Sequence, residues 1–216
     1  MINGSYNIDD NDAPVWTNKT EFVCDYEYID EHNIYQMTVR RGKNPDGSKV
    51  ILPGRRNDLG FDERFEPDQK VFEWQWGIGA RWAGDEPAKK VLYRLPELIA
   101  STGTVFVVEG EKDVETLLDL DLTATCNPFG ALKWLDEFSP WLKDRDVVIL
   151  QDNDDRGEQH ALKVQTSVRK FAASVKRVLL PGLPEKGDVT DWLAIDGNSK
   201  EKLLDIVAKA SLAKPV

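Results

Sequence analysis

The rhythm of apolar and polar positions changes near residue 104. Before it, apolar residues come in short mixed runs: FVCDYEYID from Phe22, IYQMTVRR from Ile34 and KVILPGRR from Lys49. Asn44-Pro45-Asp46-Gly47 between the last two is a turn signal, so these runs predict a β-meander. Residues 57–100 are less regular. VFEWQWGIGARW reads as strand or irregular chain, and LYRLPELIA puts Pro96 at a first-turn helical position. After Thr104 the pattern alternates. TVFVV, LTATC, DVVIL and VKRVLL read as strands. EKDVETLLDL, EQHALKVQTSVRKFAAS, VTDWLAI and KEKLLDIVAKA read as helices, and KWLDEFSPWL as a helical stretch that Pro140 interrupts. Near-continuous apolar strands separated by helices predict a parallel sheet flanked by helices. The expected organisation is a flexible tail or linker over 1–20, a smaller α+β subdomain over 21–102, and an α/β domain with C-terminal helices over 103–216.

Composition supports a packed core: hydrophobic residues make up 41% of 216, with seven Trp. Cys24 and Cys126 are the only cysteines, too few for a disulfide framework or a zinc ribbon, and they fit a reducing cytoplasm. No apolar run reaches transmembrane length, and the polar start MINGSYNIDDND is not a signal peptide. The net charge of −10 argues against a nucleic-acid binder until its distribution is considered. Residues 1–31 carry eight acids and one Lys, whereas residues 38–56 carry six basic residues and one Asp. A basic patch, which a solvated hairpin would also explain, sits inside an acidic chain.

The ends of the predicted strands carry the chemistry. In parallel sheets ligands bind beyond the carboxyl ends of the strands. The 104–108 strand runs into Glu109-Gly110-Glu111-Lys112-Asp113, and the 146–150 strand into Asp152-Asn153-Asp154-Asp155-Arg156-Gly157. The 175–180 strand leads through PGLPEKGD to Asp188, with Asp191 after it. Carboxylates massed on one rim repel one another, and a hard divalent cation such as Mg²⁺ relieves that. Taken singly, each is as well explained as a helix cap. The joint pattern, E-G-x-x-D after one apolar strand and D-x-D-x-x-G after another about forty residues on, is more specific.

These motifs resemble the toprim domain of bacterial-type DNA primases, topoisomerases, some nucleases and recombination proteins. VEGEKD matches that family's glutamate motif and DNDDRG its D-x-D motif. KGDVTDWL and NPFGALKWL resemble segments of phage and mobile-element primases. The resemblance covers about residues 103–196. It implies a toprim fold, with Glu109 as general acid/base or metal-proximal carboxylate and with Asp152 and Asp154 holding Mg²⁺, Mn²⁺ being a substitute. Asp113 and Asp188 would be auxiliary ligands. Glu111, Asp155 and Asp191 are equally explained by capping or exposure.

Within that family the chain lacks the marks of several members. All five Tyr lie before residue 94, with little chain here to build the gate that a topoisomerase nucleophile needs, and no G-x-x-x-x-G-K-[ST] or cysteine zinc motif occurs in this sequence. YEYIDEHNIYQMTVRR resembles the opening strands of phage primase cores, and LYRLPELIASTGTVFVVEGEKD their join into toprim. The resemblance therefore implies a primase catalytic core, Mg²⁺-dependent and cytoplasmic. It would make RNA primers from ribonucleoside triphosphates on single-stranded DNA and serve a replicative helicase in cis or trans. A metal-dependent nuclease, or a nucleic-acid binding module without catalysis, are the alternatives. Such primases usually begin with a zinc ribbon and often continue into a helicase. Neither pattern is present, as expected for an excised core or a reduced stand-alone protein.

On this reading Arg40, Arg41, Lys43, Lys49, Arg55 and Arg56 would track template phosphates or bind a nucleoside triphosphate, and phosphate contacts position a template without reading its sequence. Arg81, Lys89, Lys90 and Arg94 could line the same groove. Lys112 and Lys186 flank the acidic rim, where they would meet phosphates or balance charge. Trp74, Trp76 and Trp82 suit either base stacking or a core. His32 and His160 read as surface residues rather than ligands.

Overall fold

The computed structural model describes residues 16–61, 70–77 and 86–213, with backbone alone at 56–61 and 70–76. The chain divides into two compact units, Met1–Lys90 and Val91–Val216.

In the first unit four strands form an antiparallel sheet in sequential order: β1 (Glu21–Ile29), β2 (Tyr35–Lys43), β3 (Lys49–Phe61) and β4 (Lys70–Trp76). The expected meander is present, and the aromatic run after residue 70 joins it as β4. Asp30 closes the first turn, its side chain accepting from the backbone N–H groups of His32 and Ile34. Gly47 closes the second at φ 87°, a left-handed conformation that favours glycine. Tyr26, Tyr28, Met37, Val39 and Val50 form the buried core of the sheet. Residues 16–20 belong to the stretch expected to be a tail, yet they pack on β2. A Cβ at Gly42 would stand 2.5 Å from the Trp16 ring. Among the described residues before 91 every element is a strand, and helix α1 (Leu95–Ala100) lies in the second unit.

The second unit is an α/β domain. Its four-stranded sheet has the order β6-β5-β7-β8, with β5 (Val105–Val107), β6 (Ala124–Thr125), β7 (Asp146–Gln151) and β8 (Ser174–Leu179) all parallel. Val105, Phe106, Val107, Val147, Val148, Ile149 and Leu150 are buried, as expected for strands covered on both faces. Helices α2 (Glu111–Leu118), α3 (Asp155–Val168), α4 (Val189–Ala194) and α5 (Lys200–Lys209) follow the predicted order. Each buries an apolar stripe: Val114 and Leu117, Ala161, Val164 and Val168, Val189 and Trp192, Leu203 and Val207. The stretch around Pro140 is a 3₁₀ helix, Asp136–Leu142. Proline has no N–H to donate, and this short element tolerates it. Trp134 and Phe138 pack edge to face there, with ring centroids 5.7 Å apart.

Candidate active site

Because the sheet of the second unit is parallel, β5, β7 and β8 end on one edge. Helices α2, α3 and α4 begin there, each behind a carboxylate-bearing turn. Gly110 caps α2, so that Glu109 lies just before the helix and Asp113 on its first turn. Asp154 caps α3, accepting from the Gly157 N–H at 2.6 Å. Asp188 caps α4 in a capping box: it accepts from the Asp191 N–H at 2.9 Å, and Asp191 accepts from the Asp188 N–H at 3.2 Å. Capping and a place on the rim are therefore compatible at Asp154 and Asp188. Each spends an oxygen on a helix N-terminus while sitting on the rim.

The carboxylates lie close enough to perturb one another. Burial, then the charges of Glu109, Asp113, Asp188 and Asp154, push Asp152 up to about 8. Burial and then Asp154 raise Glu109. Burial and then Asp188 raise Asp113 to about 6. Asp188 moves the other way: burial opposes its charge, but the Lys112 ammonium and the Asp191 N–H outweigh it and hold the carboxyl below its usual range. Lys112 Nζ lies 2.6 Å from Asp188 Oδ2 and 3.6 Å from Asp113 Oδ1. Asp113 is oriented by Thr190, whose hydroxyl donates to Oδ1 at 2.6 Å, and Thr190 in turn meets the Thr116 hydroxyl at 2.8 Å.

A further feature ties the ends of β7 and β8 together. Asn153, between the paired aspartates, donates its side-chain amide to the carbonyls of Leu183 and Pro184 at 3.0 and 2.9 Å. Its backbone N–H meets the Gly187 carbonyl at 3.0 Å, and its own carbonyl accepts from the Lys186 N–H at 2.9 Å. The loop leading to Asp188 is thus stitched to the loop of Asp152 and Asp154. Gly157 lets α3 start against that loop, since a Cβ there would stand 2.7 Å from the Asp152 carbonyl oxygen. Gly110 is different. A Cβ there would meet its nearest neighbour, Asp113 Oδ2, at an ordinary 3.6 Å.

The donor set is all carboxylate oxygen, which suits a hard divalent cation. Three of the five carboxyls are pushed toward protonation, the response of a site short of positive charge. Among the described residues no three His, Cys, Asp or Glu side chains form a ready-made metal cage. Mg²⁺ does not require one, because it is commonly held by one or two carboxylates with water and substrate phosphates.

Of the neighbouring residues, Asp155 is exposed, Asp191 serves the α4 cap, and Glu111 is buried rather than exposed. His160 also departs from expectation. It is buried in α3, where Nδ1 accepts from the Leu132 N–H at 3.0 Å, and burial pushes it down to about 4. No pattern along the chain signals that hydrogen bond across 28 positions. His32 is exposed, as expected.

The basic residues of the first unit do not form a single cluster. Alternation along β2 puts Arg40 on one face and Arg41 and Lys43 on the other. The β2–β3 register sets Lys43 opposite Lys49, so Lys49 shares their face. Arg40 is bound by Asp25 through two hydrogen bonds, at 2.8 and 2.7 Å, with its guanidinium 5.2 Å from the Phe22 ring centroid. Arg41 hydrogen-bonds Tyr26. Lys43 and Lys49 are exposed. Arg55 donates to the Glu86 carbonyl at 2.9 Å, and Lys89 pairs with Glu31. In the second unit Arg94 is engaged by Glu115 at 2.8 Å and Glu97 at 2.9 Å. The side chains of Arg56, Trp74 and Trp76, and the whole of Arg81 and Trp82, lie outside the described residues.

No protein-family model matches the chain, and no curated protein matches it by sequence. Solved structures do. The zinc-binding and RNA polymerase domains of the Aquifex aeolicus primase align with 87% of this chain and 45% of their own, at 21% identity and a TM-score of 0.51. The E. coli primase catalytic core aligns over 87% and 58%, at 17% identity and a TM-score of 0.48. A DNA primase domain from Pseudomonas aeruginosa aligns over 87% and 57%, at 18% identity and a TM-score of 0.47. The chain spans less than half the length of the first and under three fifths of the others. Its fold resembles that of a bacterial primase catalytic core.

Proposed function

We propose that this chain is the toprim-type catalytic core of a DNA primase of the phage or mobile-element kind, a nucleotidyltransferase that makes RNA primers on single-stranded DNA. The observation that carries the reading is the group of five carboxylates, Glu109, Asp113, Asp152, Asp154 and Asp188, where β5, β7 and β8 end, three of which, Glu109, Asp113 and Asp152, are pushed toward protonation by burial and by their neighbours. The primase-like fold supports it. Ribonucleoside triphosphates are the proposed substrates, and a replicative helicase in the cytoplasm is the proposed partner. Among the described residues no helix is long and apolar enough to cross a membrane.

In this reading Asp152 and Asp154 hold Mg²⁺ or Mn²⁺, with Glu109 beside them and Asp113 and Asp188 as further ligands. The bound cation supplies charge neutralisation for phosphate oxygens and lowers the pKa of a nearby hydroxyl. Glu109, raised by burial and by Asp154 in the direction that strengthens a base, is suited to take the proton of the attacking 3′-hydroxyl. Asn153 keeps the Asp188 loop against the Asp152–Asp154 loop, and Thr190 fixes the orientation of Asp113. Preorganisation of this kind spares the site from rearranging during reaction.

Incubation with single-stranded template, Mg²⁺ and labelled ribonucleotides tests the proposal. Template-dependent extension products support it. Shortening of the template would point to a nuclease on the same carboxylates, and gel retardation alone to a binding module.

A further inference from the structure

We propose that Lys112 is the resident cation of the acidic rim: its ammonium holds Asp188 beside Asp113, and a divalent metal ion displaces it on binding. The inference rests on the reading of this rim as a metal site. Its evidence is the use of oxygens at Asp188. Oδ1 accepts from the Asp191 N–H at 2.9 Å, and Oδ2 accepts from Lys112 Nζ at 2.6 Å. Neither oxygen of Asp188 faces an incoming cation without competition. Asp113 Oδ1 is shared in the same way, between the Thr190 hydroxyl at 2.6 Å and the Lys112 ammonium at 3.6 Å.

The ammonium and a metal ion would be like charges on the same carboxylate oxygen, in a place where Asp113 is buried and Asp188 nearly so. Close like charges repel strongly where water is scarce. Between the Asp191 N–H and the Lys112 ammonium, Lys112 is the one that yields. The Asp191 N–H is fixed in the backbone of α4, whereas a lysine ammonium rides on a flexible four-carbon stem. Once released, that ammonium remains on the rim, within reach of a phosphate bound there. Lys112 thus joins two jobs, charge balance and phosphate binding, as successive states of one side chain.

The test is Mn²⁺ binding to the substrate-free chain, read from the electron paramagnetic resonance of free Mn²⁺, together with thermal melts in a chelator. Hydrogen bonds to charged groups are strong enough that removing the competitor should tighten Mn²⁺ binding by about tenfold in Lys112→Met. The same variant should melt at lower temperature without metal. Lys112→Arg, which keeps the charge, should stay near the parent in both measurements. Lys186→Met removes a cation from the loop after β8 and should change Mn²⁺ binding clearly less. Lys112→Gln replaces Lys112→Met should the latter fail to fold. Unchanged or weaker Mn²⁺ binding in the neutral variants, with the parent still binding, overturns the proposal, and so does an equal gain in Lys186→Met. A parent chain that binds no Mn²⁺ overturns the metal-site reading itself, and this proposal with it.

Discussion

Asn153 donates its backbone N–H to the Gly187 carbonyl at 3.0 Å, joining the loop that carries the paired aspartates to the loop that delivers Asp188. The Asn153 side chain repeats the link through the carbonyls of Leu183 and Pro184. Asn153→Ala should therefore destabilise the chain by about 1–3 kcal/mol, the usual cost of leaving such acceptors without their donor. Asn153→Asp should cost more, because it turns a carboxylate toward two carbonyls. Urea denaturation of the second unit's tryptophan signal checks both.

Asp152 gives the site a pH dependence of definite sign. Its folded-state pKa, about 8, lies above the ordinary 3.8. The protonated carboxyl is favoured in the fold. Its contribution to stability is complete below about pH 4 and is lost as pH rises through about 8. Asp152→Asn has no such proton to lose. In a chelator the melting temperature of the parent should fall across that window relative to the variant, while Mg²⁺-dependent activity of the variant is abolished. A parallel pair of melting curves would contradict the assigned burial and repulsion.

Glu109→Gln keeps size and hydrogen-bonding capacity and removes the charge and the proton acceptor. General acid–base groups contribute about 10²–10⁴-fold, so primer extension should fall by that factor. The fold should be unaffected, since Glu109 serves neither strand nor helix cap. Steady-state extension rates at saturating template measure the loss, and a fall of less than about tenfold would remove Glu109 from the proton-transfer step.

The parallel sheet was legible in the sequence because its strands are buried on both faces and read as unbroken apolar runs. Asp154 and Asp188 were legible as possible helix caps, and both accept from the third residue of the helix that follows. The rim carboxylates were legible because they stand directly after those apolar strands, in the joint pattern E-G-x-x-D and D-x-D-x-x-G. What stayed hidden depends on hydrogen bonds between distant positions. Asn153 reaches carbonyls 30 and 31 residues away, and Thr190 reaches Asp113 across 77. His160 looked like a surface residue because nothing along the chain tells that its ring accepts from Leu132. The basic run looked like one patch because counting charges ignores alternation. Arg40 and Arg41 are neighbours in sequence and lie on opposite faces of β2.

That alternation divides the basic run into residues with different expected effects. Arg40 is occupied by Asp25, so Arg40→Ala should act on stability, by about 1 kcal/mol or less for a partly exposed pair, and leave template affinity nearly unchanged. Arg41, Lys43 and Lys49 share the other face, and the two lysines are exposed. Neutralising these three together should weaken binding to every single-stranded sequence alike, because a cation on a phosphate carries no base information. Every cation–phosphate pair abolished should also take about 0.7 off the slope of log affinity against log salt. Fluorescence anisotropy of a labelled single-stranded DNA at several salt concentrations reads both quantities. An unchanged slope in the triple variant would make this face an ordinary solvated hairpin. An effect of Arg40→Ala as large as that of the triple variant would mean that the template, rather than Asp25, competes for that guanidinium.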